Sequence, residues 1–117
     1  MSDAFKVRFA KSTDLEVISR HRARMFADMG ELPPEVFESF RAQSLETLQQ
    51  LFGEGKYTGW LASPTSAPDK IVAGAGVQLR EVPPHPQPDA KGKIDIVSGR
   101  QAIIQNVYTE PEWRRRG

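Results

Sequence analysis

The chain has 117 residues, 38% of them hydrophobic and 26% charged, with 16 basic against 15 acidic side chains for a net charge of +1. This is the composition of a single domain, 1–117, with a core of its own and no global field pulling it toward nucleic acid or a membrane. The absence of cysteine excludes a disulfide framework, a thiolate nucleophile and a cysteine-ligated zinc site; no metal site is expected. No apolar run of roughly 18 residues and no signal-peptide pattern is present, so a cytoplasmic protein is expected.

Phe5, Val7 and Phe9 alternate with Lys6, Arg8 and Ala10, the period of a strand with one buried face. Thr13 and Glu16 have the spacing of a capping box, and Leu15, Ile18, Arg22, Met25, Phe26 and Met29 then recur at helical intervals up to Gly30, a natural stop. A second helix starts at Pro33-Pro34-Glu35, where proline is tolerated in the first turn. Its apolar face is Phe37, Phe40, Leu45, Leu48, Leu51 and Phe52, and Gly53 ends it. Tyr57 to Ser63 and Ile71 to Leu79 read as the arms of an antiparallel hairpin across a Ser/Pro-rich loop. From Val82 to Lys93, Pro83, Pro84, Pro86 and Pro88 predict a surface loop, because proline removes ladder donors. Ala102 to Thr109 is the last strand, with Ile103, Ile104 and Val107 as core anchors. The order is β-α-α-β-β-β followed by a glycine loop, an α/β chain with a mixed α+β sheet.

That order, closing on Asn106-Val107-Tyr108-Thr109-Glu110-Pro111-Glu112-Trp113-Arg114-Arg115-Arg116-Gly117, resembles the N-terminal part of the GCN5-related N-acetyltransferase (GNAT) family. Arg114-Arg115-Arg116-Gly117 matches the first four positions of the family's Gln/Arg-x-x-Gly-x-Gly/Ala loop, which wraps a coenzyme A pyrophosphate; the remaining two would follow Gly117. Arg22, Met25, Phe26, Asp28, Met29 and Gly30 also match a pattern common in one large group of these enzymes. The resemblance implies the front part of an acyl-CoA N-acyltransferase fold, without the C-terminal helices and strands. It further implies an acetyl-CoA-dependent N-acetyltransferase acting on a primary amine, with this chain alone a truncated and inactive portion. The alternative is a non-catalytic dimerising or anion-binding module that keeps the front half of the fold.

Carried over residue by residue, the resemblance puts the Val107 N–H near the acetyl carbonyl and Tyr108 and Thr109 beside the pantetheine arm. Arg114, Arg115, Arg116 and Gly117 would surround the pyrophosphate, with arginine supplying charge-assisted hydrogen bonds. Taken alone, three consecutive arginines are a solvated basic run. The acceptor is a small-molecule or peptide amine, and Asp28 and Glu31, at the turn between the helices, are the carboxylates expected to attract it. No general base is singled out, because Ile103 stands where some members carry a glutamate, and Glu110 and Glu112 lie on the turn with a structural or solvated role. His21 faces either solvent or the acceptor cleft and reads first as structural. Gly74 and Gly76 mark either close approach of a ligand or backbone, or a bulge. With no further neighbour, the last strand exposes an edge, and a homodimer through that edge is expected.

Overall fold

The computed structural model describes residues 4–115; Arg116 and Gly117 lie outside the described residues. Four strands, β1 (Phe5–Phe9), β2 (Tyr57–Pro64), β3 (Ala73–Pro88) and β4 (Ile94–Thr109), form one sheet in the order β1-β2-β3-β4. Two helices, α1 (Leu15–Asp28) and α2 (Phe37–Gly53), are inserted between β1 and β2. The α+β class and the element order are as expected, while every described strand pair is antiparallel rather than mixed.

Both helices lie on one face of the sheet. Alternation along β2 sends Tyr57, Gly59, Leu61 and Ser63 to that face, where all four are buried. Tyr57 and Leu61 pack there with Leu15 and Ile18 of α1 and Leu48 of α2. Each such side chain contributes about 1.5–3 kcal/mol through removal from water. The helix starts differ in detail from the expected capping box. Ser12–Asp14 forms a turn of 3-10 helix containing Thr13, and the Asp14 carboxylate accepts the Lys11 N–H at 2.7 Å and pairs with Arg8. Gly30 closes α1 in the left-handed conformation, φ 75°. After α2 that role falls to Gly55, φ 71°, two residues beyond the expected stop.

The opposite face is open among the described residues, which corrects two expectations. Val7 and Phe9 are about two thirds exposed, since the partners their alternation aims at are Ala62 and Trp60 on the face without helices. Ile104 and Val107 likewise point to that face and are not core.

A third correction concerns the proline-rich segment. β3 continues through it to Pro88, and β4 starts at Ile94, so residues 80–101 form a projecting two-stranded arm. Prolines fit because this part of β3 pairs on one side only. Pro84, Pro86 and Pro88 stand at alternate positions, so their missing N–H groups share one edge, and the ladder survives when that edge faces away from β4. The register slips between Val82 and His85, at the Pro83-Pro84 pair. The arm stretches the molecule to 52 Å in its longest dimension and gives a radius of gyration of 17.2 Å, against about 13 Å for a compact chain of this length.

Candidate functional site

A bulge in β4 organises the region singled out by the sequence. Gly74 pairs with Tyr108, but Gly76 pairs with Gln105, so Asn106 and Val107 together oppose Ala75. One extra residue reverses the alternation of the strand. Gln105 and Asn106 therefore face the helices in succession, while Val107 and Thr109 return to the open face. Asn106 occupies the left-handed region at φ 57°, a conformation that asparagine tolerates better than most residues. Both readings of Gly74 and Gly76 have a counterpart: the bulge of β4 lies opposite them, and a Cβ at Gly74 would come within 3.2 Å of the Trp60 carbonyl oxygen.

Polar contacts hold the bulge from the helix side. Arg22 of α1 donates from Nη1 to Asn106 Oδ1 at 2.8 Å, and Asn106 Nδ2 donates to the Tyr57 hydroxyl oxygen at 3.0 Å. Gly76 makes this chain possible, because a Cβ there would overlap the Tyr57 hydroxyl. The buried Asn106 amide thus has both of its polar ends satisfied, as a group removed from water requires. Burial raises the Tyr57 phenol above its ordinary range, with the Asn106 hydrogen bond pulling the other way. Beside these residues lies a cavity of about 260 Å³ between α1, α2 and the β3–β4 pair, to which Phe40, Gln43, Ser44, Thr47, Gln78 and Gln105 contribute.

At the end of β4 the helix side and the open face carry different groups. Tyr108 is buried, with its ring 5.1 Å from that of His21. His21 is also buried, and its Nε2 lies 3.5 Å from a Glu110 carboxylate oxygen, close enough for an electrostatic contact but without a hydrogen bond among the described residues. Burial pushes the His21 imidazole below its ordinary value of 6.5, and the Glu110 charge opposes this. Glu110 also meets Arg24 at 3.4 Å. His21 therefore faces neither solvent nor the cavity; it packs α1 onto β4, and Glu110 belongs to the same structural contact. On the open face, Thr109, Arg114 and Arg115 border a hollow of about 400 Å³ floored by Phe5, Val7, Ala62 and Ala73.

The structure thus brings Thr109, Arg114 and Arg115 together and leaves Val107 exposed just upstream. Arg114 is folded back on its own strand: Nε donates to the Thr109 carbonyl at 2.9 Å, and the guanidinium lies 5.3 Å from the Tyr108 ring centre. Nη2 meets Asp28 at 3.0 Å. Asp28, expected near the acceptor, therefore stands beside an arginine expected to hold phosphate, while Glu31 is exposed past the end of α1. Trp113 packs edge-on against Phe5 and lies under Lys70. Asn106 and Tyr57 were not singled out in the sequence as site residues. An asparagine inside an apolar strand, opposite two closely spaced glycines, is the signal that marks them.

A sheet of this order, with two helices in the first crossover and a bulged last strand running into an arginine turn, can be compared with solved structures. A GCN5-related N-acetyltransferase from Ralstonia eutropha JMP134 matches 97% of the chain with a TM-score of 0.74 and 26% identity. The chain has the GNAT fold. A predicted acetyltransferase with acetyl-CoA from Clostridium acetobutylicum matches 97% of the chain at 23% identity and a TM-score of 0.69. A possible acetyltransferase from Clostridium difficile 630 does so at 20% and 0.59. The chain covers 67%, 65% and 62% of these three structures, respectively, so it spans about two thirds of their length or less. No protein-family model and no curated protein sequence matches. Within the GNAT fold, the described elements correspond to the N-terminal part. No described helix is long and apolar enough to cross a membrane.

Proposed function

We propose that the chain contributes the front half of an acetyl-CoA-dependent N-acetyltransferase site, which passes an acetyl group from the thioester to a primary amine. The observation that carries this reading is the Asn106–Val107 bulge, pinned by Arg22 and Tyr57 between a polar cavity on one face and an arginine-rimmed hollow on the other. Acetyl-CoA supplies the activated acyl group. An edge strand interrupted by a bulge, with arginines at its end, fits a long thioester ligand that terminates in a pyrophosphate.

In this reading Val107, Tyr108 and Thr109 line the pantetheine arm through their main chain, a recognition mode that adds a ligand to a sheet edge. Arg115, exposed and at φ 62°, offers its guanidinium to the pyrophosphate directly. Arg114 joins it by exchanging the Asp28 carboxylate for a phosphate oxygen, a swap between two charge-assisted pairs. The amine enters from the helix side, with Asp28 and Glu31 at the nearby end of α1. Upstream of the bulge, the outer edge of β4 pairs with a second copy of the chain and leaves Val107 to Thr109 to the ligand.

Calorimetry with acetyl-CoA tests the reading through binding rather than turnover. Saturable heat is expected below about 1 mM ligand, with binding weakened in Arg115→Ala and lost in Val107→Pro, which removes the main-chain donor at the bulge. Absence of heat in the unmodified chain, or full binding by Val107→Pro, would sink it. Size exclusion checks the second copy; a monomer across the accessible concentration range removes that part of the proposal.

A further inference from the structure

We propose that the cavity between α1, α2 and the β3–β4 pair binds a carboxylate, with Arg22 as its partner, and that the acetyl acceptor is a small amino acid-like amine. The identity of the ligand as an acceptor rests on the acetyltransferase reading; the carboxylate site does not.

Arg22 differs from Arg8 and Arg41, the other half-buried arginines among the described residues, and from the surface arginines that carry an ion pair. Arg8, Arg24, Arg41, Arg100 and Arg114 each pair with a carboxylate. Arg22 is half-buried, yet its hydrogen bond goes to a neutral amide, Asn106 Oδ1. Its guanidinium carbon lies 5.1 Å from the centre of the Phe26 ring and 5.8 Å from that of Phe40. Two aromatic contacts and an amide fix its orientation without neutralising its charge. A cation withdrawn from water without a counter-charge is costly, and burial accordingly lowers the affinity of Arg22 for its proton. An incoming carboxylate removes that cost and can accept two parallel N–H donors from the fork, since only one of five is committed to Asn106.

The rest of the lining agrees in sign. Gln43, Ser44, Thr47, Gln78 and Gln105 are neutral, and no carboxylate is among the described lining residues. A ligand bearing only positive charge would meet Arg22 with nothing to offset the repulsion. The volume of about 260 Å³ falls just below the usual range of about 300–1,000 Å³ for ligand pockets, which limits the occupant to amino acid dimensions.

The test compares L-leucine and L-glutamine with leucinamide and glutaminamide, titrated into the unmodified chain without acetyl-CoA and followed by calorimetry and by the Arg22 Nε–H resonance. At least one acid is expected to bind about tenfold more tightly than its amide and to shift that resonance. Arg22→Gln abolishes the preference, and Arg22→Lys, which keeps charge but loses the fork, retains part of it. Equal binding of acids and amides, or no binding by any of the four, overturns the proposal, and neither result depends on a variant folding. Acetyl-CoA is titrated separately. Acid binding without acetyl-CoA binding removes the acetyltransferase reading and leaves the carboxylate site; the converse leaves that reading and removes the site.

Discussion

β3 changes character halfway along its length. From Ala73 to Gln78 it lies between β2 and β4, with a helix-covered face on which Gly76 receives the Tyr57 side chain. From Arg80 to Pro88 it has only β4 beside it, and nearly every residue is exposed. The first half is fixed by apolar burial and a satisfied polar chain. The second half is fixed by ladder hydrogen bonds and side-chain pairs such as Arg80 with Gln101 and Arg100 with Glu81, all of them wet. Strand assignment alone conceals the difference, because the same secondary structure is cooperative with the core in one place and only locally held in the other.

Leu61 gives the largest expected break in this comparison. It is 1% exposed at the centre of the core, against Leu15, Ile18 and Leu48. Leu61→Ala should cost about 2–5 kcal/mol, from lost transfer energy and the cavity left behind. Denaturant titration reads this directly. A cost under about 1 kcal/mol would mean that the sheet–helix contact is loose enough to collapse around the gap.

A smaller effect separates the two ends of β4 by pH. His21 packs against Tyr108 of β4 and is faced by Glu110 from the turn just after β4 and by Arg20 and Arg24 from its own helix. Its folded pKa is below the ordinary 6.5. Above that pH the ring is neutral in both folded and unfolded states and its burial costs no proton. Below it, the unfolded chain takes up a proton that the buried ring resists, so stability falls with falling pH. The denaturation midpoint should therefore drop between about pH 7.5 and about pH 5.5, with a shallower drop in His21→Gln. An unchanged slope in the variant would place the titration elsewhere.

The sequence conveys the body of the molecule much better than the arm. Helical spacing from Leu15 to Met25, and from Phe40 to Leu51, marks real apolar faces, and period 2 marks β1 and β2. What period 2 cannot tell is which face the helices cover. Phe5, Val7 and Phe9 form a regular apolar stripe, yet it lies opposite the helices, and Lys6 and Arg8 are on the helix side. Prolines misled for a related reason. They exclude a strand only where both edges must pair, and the pairing of an arm on one side is a tertiary fact. Of the candidate site residues, Thr109, Arg114 and Arg115 border one hollow, a proximity that follows from their short separation in sequence. Asn106 did not stand out, because an asparagine in an apolar strand marks a bulge only once that strand is known to pair with Gly74 and Gly76, which is a tertiary fact.

The smallest expected effect is the counterpart of Leu61. Ile96, in the arm, is 75% exposed and sits opposite Pro86 with no helix above it. Ile96→Ala removes more carbon atoms than many destabilising core changes, but they are already in water, so the cost should stay within about 0.5 kcal/mol. The contrast with Leu61→Ala assigns stability to burial rather than to strand membership. Ile94 and Ile96 nevertheless share one face of the arm with Pro86 and Pro88. If two copies of the chain associate through β4, that face is the part of the strand with most apolar surface left to cover. The loss on Ile96→Ala would then grow with protein concentration, because association stabilises by mass action. Measuring the midpoint at two concentrations tenfold apart distinguishes an arm that stands free from one that is half of an interface.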